Sequence, residues 1–159
     1  MNSSPNRASN PAGKPRRKPV TLDLSTARQM LPLVRSIVAD IVATNRRLAE
    51  LAPQQEILDD ARRGLNWASR QRRYAVHEEV ATAEKHLAGA VSELDELGLT
   101  LVDGSAGRVD FPTRINGRQA AFSWQLGEDA LGFWRYTGEE QRRPIPADWL
   151  TAAPVRYRP

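Results

Sequence analysis

The sequence predicts an α+β protein: a long antiparallel helical hairpin followed by a small antiparallel three-stranded β-meander. Three observations carry this expectation. Two long stretches before Gly98 repeat apolar residues at three- and four-residue spacing, the period of a helix with one buried face. After Gly98 the spacing shortens to two, the period of a strand. Within that second region Asn116-Gly117 separates two alternating runs, and Asn-Gly suits the positive-φ positions of a type I′ hairpin turn.

The first helix is signalled by its start. In Leu22-Asp23-Leu24-Ser25-Thr26-Ala27 the Asp23 carboxylate is placed to accept orphan N–H groups of the first turn. Leu22 and Ala27 occupy the positions of a hydrophobic staple. Leu24, Ala27, Leu31, Val34, Val38, Ile41 and Leu48 then form one stripe, widened by Met30, Ile37 and Val42. Pro32 lies inside it, removes the hydrogen bond to the Arg28 carbonyl, and predicts a kink held by packing. Asn45 falls on the seam between Ile41 and Leu48. It either fixes helix register or marks where the stripe meets water, and the second is the plainer expectation.

Pro53 predicts a break or kink, then a short segment over 54–63 that turns Ile57, Leu58 and Ala61 inward. Gly64 suits a C-terminal cap, and Asn66 the N-cap of the next helix. That helix is expected to reach about Leu97, with Val76, Val80, Ala83, Leu87, Ala90 (or Val91), Leu94 and Leu97 on one face. Gly98 closes it in the C′ position. Two striped helices joined by a short connector bury each other most simply as an antiparallel hairpin.

Leu99–Val102 is a short strand candidate. Arg108–Ile115 and Arg118–Leu126 flank the Asn-Gly turn, whose two-residue loop fixes their register. Phe111 then faces Phe122 and Val109 faces Trp124, all on one side, ready for burial on the helices. Pro112 cannot donate to a ladder, so its strand is expected to be an edge or to carry a bulge. Gly127–Ala130 reads as a turn and Leu131–Thr137 as a third strand. Residues 142–146 are expected to leave regular structure, with Trp149 and Leu150 docking back.

A chain of 159 residues, 40% hydrophobic and 26% charged, fits one domain with extensions. The expected division is a disordered basic tail over 1–20, one domain over 21–150 and a flexible tail over 151–159. Net charge is +4, but Arg7, Lys14, Arg16, Arg17 and Lys18 precede any acid, leaving 18 basic against 19 acidic residues in the rest. The tail is read as a solubilising extension ahead of a nucleic-acid contact by counterion release. Without cysteine there are no disulfides, thiol nucleophiles or Cys-ligated metals. No apolar run approaches the ~20 residues that span a bilayer, so a cytoplasmic protein without membrane contact is expected.

No catalytic constellation stands out, and no cofactor or metal site is expected. His77 and His86 lie nine apart on one helix, on roughly opposing sides. There is no phosphate-cradling loop and no nucleophile elbow. The stretch 61–77 holds five arginines, no acid, one Trp and one Tyr. Within it Arg62, Arg63, Trp67, Arg70, Arg73 and Tyr74 form a candidate binding surface, because Arg with aromatic partners binds phosphate and stacks on bases. The plainer reading packs the aromatics at the helix junction and neutralises the arginines with Glu56, Asp59 and Asp60. In the sheet region a lone Asp110 and Glu128 are weak grounds for acid–base chemistry; an enzyme would need them to converge in a pocket.

Gly107-Arg108-Val109-Asp110-Phe111-Pro112, Asn116-Gly117-Arg118, Ser123-Trp124-Gln125-Leu126-Gly127-Glu128 and Phe133-Trp134 come in an order that resembles bacterial domain-of-unknown-function family 2203. Met30-Leu31-Pro32-Leu33-Val34-Arg35 resembles the family's opening helix, so the likeness spans about residues 22–146. It implies a shared surface of Asp110, Phe111, Trp124, Gly127, Glu128 and Trp134, and no activity to carry over. Ser123 and Arg135 stand where the family pattern has Cys and His, so chemistry resting on those two would be absent here. The expected function is a non-enzymatic interaction module, binding a protein or a second copy through the hairpin surface. The alternative is a nucleic-acid-binding (RNA or ribosome) accessory protein using the basic tail and the Arg/aromatic stretch 62–74.

Overall fold

The structure is a computed structural model that describes residues 20–151. Helix α1 runs Leu24–Asp60 and α2 runs Trp67–Glu96. They are followed by β1 (Thr100–Asp103), β2 (Arg108–Ile115), β3 (Arg118–Gln125), β4 (Phe133–Tyr136), β5 (Arg143–Pro144) and the short α3 (Ala147–Thr151). The strands form one five-stranded sheet in sequence order, with every neighbouring pair antiparallel. The protein is therefore α+β, a helical hairpin followed by a meander.

The helix ends form as their side chains dictate. The Asp23 carboxylate accepts the Thr26 N–H at 2.6 Å, and the Asn66 side chain accepts the Ser69 N–H at 2.8 Å. The Asp23 hydrogen bond to Thr26 also holds that carboxyl below its ordinary pKa. At the end of α2 the Gly98 and Leu99 N–H groups bond the Asp95 and Leu94 carbonyls, and Gly98 takes φ +80°. That is a Schellman closure, which glycine enters without a Cβ clash.

As expected, Pro32 lies inside α1; Pro53, by contrast, does not end the helix, which continues to Asp60. Both prolines sit at exposed positions, and packing around Leu31, Val34 and Leu51 carries the helix across the missing N–H donors. With the helix continuous, Ile57 turns to solvent at 69% exposure instead of inward, Ala61 is an exposed cap, and Leu58 is half-buried. Gly64 lies past that cap, in the turn whose N–H reaches the Ala61 carbonyl at 2.9 Å.

Sheet register follows the Asn-Gly turn. Phe111 pairs with Phe122 and Val109 with Trp124, while Asn116 and Gly117 take φ 53° and 74°. Pro112 sits beyond the end of β1, and its carbonyl accepts the Leu22 N–H at 2.8 Å. Its missing donor thus faces a part of β2 that β1 does not cover. The meander of β2, β3 and β4 is extended at both edges. β1 lies at Thr100–Asp103 and is bulged between Leu101 and Asp103. β5, where irregular chain was expected, pairs Pro144 with Phe133 and Arg143 with Trp134. Trp149 returns to Trp134, with ring centroids 5.5 Å apart, whereas Leu150 stays exposed.

The inner sheet face packs on the hairpin. Val109, Phe111, Ala120, Phe122, Trp124, Trp134 and Tyr136 join Ala27, Leu31, Val34, Ile37, Val38 and Ile41 of α1 and Ala90 and Leu94 of α2 in one core. Gly107 is pressed against α1: it has φ +76°, and a Cβ there would lie 2.9 Å from Val38, Val42 and Leu126 side-chain atoms. Asn45 is half-buried at the edge of the α1 seam. Its Nδ2 donates to the Gly104 carbonyl at 3.1 Å and ties α1 to the β1–β2 turn.

The core takes nothing from α1 beyond Val42 or from α2 before Leu87. The distal half of the hairpin is therefore an arm. Leu51 and Val76 are its fully buried apolar side chains among the described residues. From Ala43 to Asp60 it extends roughly 25 Å along α1.

Candidate functional site

Two regions collect the candidate residues: the arm tip and the outer sheet face. At the tip, α1 and α2 are joined through the turn at 61–64. Across the joint, Arg73 Nε donates to Asp59 Oδ1 at 2.8 Å, and His77 Nε2 lies 2.7 Å from the same oxygen. Gln55 Nε2 contacts the other ring nitrogen, His77 Nδ1, at 3.1 Å. The His77 hydrogen bond, then that of Arg73, holds the Asp59 carboxyl below its ordinary pKa. Further along the arm Arg47 Nε donates to Glu79 at 2.6 Å and Nη1 to Glu50 at 3.2 Å. These contacts hold the Glu79 carboxyl low and raise the pKa of the Arg47 guanidinium.

The candidate binding residues divide between the two sides of this joint. Arg73 is turned in and paired. Trp67 and Tyr74 do not pack at the junction; each is 69% exposed. Arg62, Arg63 and Arg70 are exposed and make no ion pair among the described residues. Of the three acids expected to neutralise the patch, only Asp59 bonds to one of its arginines. A shallow cavity of about 600 Å³ at the tip is lined by Asp59, Asp60, Ala61, Arg62, Arg63 and Gly64.

The residues of the expected family surface fall on two faces. Phe111, Trp124 and Trp134 point into the core. Asp110 lies on the opposite side, beside Ser123 in register. Arg135 spans to Asp110 through both Nε, at 3.4 Å, and Nη2. Its Nη1 donates to the Glu139 carbonyl at 2.6 Å. Arg142 donates to Ser123 Oγ at 2.9 Å, the Ser123 carbonyl at 3.0 Å and Glu128 Oε1 at 2.6 Å, and lies over the Phe133 ring. Gly127, at φ +102°, lets the corner close so that Glu128 accepts the Gln125 N–H and the Trp124 indole N–H.

Asp110 and Glu128 are therefore on the same side of the sheet but in separate pairs, each committed to its own arginine. A carboxylate bonded to a guanidinium is fixed in position by it, which suits a structural tie. No buried side-chain N or O among the described residues lacks a partner. Ser123 and Arg135, the two departures from the expected family pattern, both belong to this network.

Sequence reasoning missed the Asp59–His77–Gln55 contact, because spacing along one helix does not show what faces His77; pairing the two helices across the turn supplies it. It also missed Arg142, for which no local signal exists. The Asp110–Ser123 neighbourhood follows from the Asn-Gly register alone. No three or more His, Asp or Glu converge on a metal-binding geometry among the described residues, and no described helix is long and apolar enough to cross a membrane.

Fold and site together define a class: an α+β protein with an open five-stranded sheet packed on one end of a helical hairpin, whose other end projects as an arm. Residues 21–145 match the family described as an uncharacterised conserved protein, DUF2203; the match spans most of the chain, and the chain belongs to that family. Comparison with curated proteins and with solved structures finds no match.

Proposed function

We propose that this protein is a non-enzymatic interaction module that binds a protein partner or a second copy through the surface of its helical hairpin. The observation that carries the reading is the arm. It stands outside the core and exposes Ile57, which the body leaves uncovered at 69% exposure. Between the helices a groove of about 630 Å³ is lined by small residues, Ala43, Thr44, Ala75, Thr82 and Ala83, and by Asp40, Arg47, Glu78, Glu79 and His86. Small side chains let another helix approach closely, and the mixed charges offer partners to either sign. The outer sheet face supports the non-enzymatic part, since its carboxylates are each clamped by arginine. The reading takes the module to be cytoplasmic, which cell fractionation tests.

Light scattering on the intact chain across a concentration series tests self-association, with Ile57→Asp and Ala83→Glu as arm variants. Capture from lysate with the same three proteins tests a partner. Mass or capture that falls in both variants supports the reading. A monomer at every concentration, with identical captured material from all three proteins, refutes it.

A further inference from the structure

We infer that the outward face of α2 at the arm tip, formed by Trp67, Arg70 and Tyr74 with Arg62 and Arg63 beside it, binds single-stranded nucleic acid. This goes beyond the association reading and uses another side of the arm; it needs only that the arm project.

On α2 the side turned to α1 carries Arg73, Val76 and His77. At 100° per residue, Trp67 and Tyr74 lie about 160–180° from Val76, so both rings face away from the hairpin. They are a heptad apart, roughly 10 Å along the axis, with Arg70 between them. Their 69% exposure leaves ring faces open. The charge of the face is also open. Arg72 and Arg73 turn to Gln54 and Asp59 of α1, whereas Arg62, Arg63 and Arg70 have no ion-pair partner among the described residues. The exposed acids nearby, Glu56, Asp60 and Glu78, form no ion pair with them.

Three arguments select the occupant. A second copy related by a two-fold axis through this face would set Arg70 against Arg70. A folded protein needs about 800 Å² per partner, and two rings of at most about 250 Å² each on a convex helix fall short of it. A flexible strand of phosphates and bases needs only one ring face and one guanidinium per contact, and every base has a face to stack. The surface is therefore expected to bind single strands with little sequence preference.

The test is fluorescence anisotropy of the full chain with a labelled oligouridylate of about 15 nucleotides, at low salt and through a salt series. Binding should occur, and Trp67→Ala and Tyr74→Ala should each weaken it about 5-fold or more. Trp67→Phe should restore most of the loss, because a ring is kept; circular dichroism checks the fold of each variant. The triple variant Arg62→Gln/Arg63→Gln/Arg70→Gln should lower the slope of log affinity against log salt by about 2, from roughly 0.7 per contacted phosphate. No binding at low salt overturns the proposal. So does binding that none of these variants changes, which would place the contact elsewhere, and so does equal competition by polyglutamate, which would mark a surface for acidic proteins. Failure here leaves the light-scattering result standing, since that measurement contains no oligonucleotide.

Discussion

Replacing Leu51 with alanine should loosen the arm and leave the body intact. Leu51 is fully buried yet lies outside the core shared by sheet and helices. Leu51 and Val76 are the fully buried apolar side chains of the arm among the described residues. Truncating a buried leucine costs about 2–5 kcal/mol, through lost transfer energy and the cavity left behind. The arm's packing does not run through the sheet, so this cost falls on local opening of the arm. A loss of about 3 kcal/mol raises the open population, and hence amide exchange, roughly 100-fold. Hydrogen-exchange mass spectrometry reads this directly, comparing peptides from 46–60 and 67–82 with peptides from 108–125. The arm should accelerate by that order while the sheet hardly changes. Sheet peptides that accelerate in step with the arm would show one cooperative unit and refute the division.

Other substitutions probe the remaining ties. Arg135→Ala should destabilise the protein by about 3–5 kcal/mol in chemical denaturation, because it strands the Asp110 carboxylate, whose pair with Arg135 has side-chain exposures of 18% and 11%. Arg143→Ala, whose pair with Glu139 is 44% and 36% exposed, should cost under about 2 kcal/mol; equal losses would contradict the burial argument. Gly107→Ala should lower the melting temperature, since it adds a Cβ at φ +76° and 2.9 Å from three side chains; an unchanged transition would mean the turn relaxes freely. Asp59 is held below its ordinary pKa by His77 and Arg73, so its contribution to stability is present above the ordinary carboxylate range and lost as pH falls through the depressed value. Acid unfolding of the arm tip, followed by exchange, should be blunted in Asp59→Asn; an identical acid profile would count against that contact.

Much of the fold was legible because its signals are local. Asp23 and Asn66 cap their own helices, Gly98 closes α2, and a two-residue Asn-Gly loop leaves β2 and β3 one register. What failed depended on distant partners. Pro53 reads as a break in isolation, but the packed helix carries through it. The two residues of β5 carry no strand pattern and pair only because the chain returns to β4, with the Ile145 N–H on the Gly132 carbonyl. The tip was half legible: its residue types and helical spacing were visible, but which arginines turn inward follows only from the opposing helix. The basic stretch over 1–19 lies outside the described residues.

The central claim is that the arm is separable from the body and is the recognition element. Excision of residues 46–83, with a short turn joining Asn45 to Glu84, removes the tip and most of the groove while sparing the core residues, and tests it most directly. Thermal unfolding and light scattering are then measured on the excised and intact chains side by side. The excised chain should keep a cooperative transition and lose the intact chain's association. A body that no longer folds, or one that associates as the intact protein does, would contradict the claim.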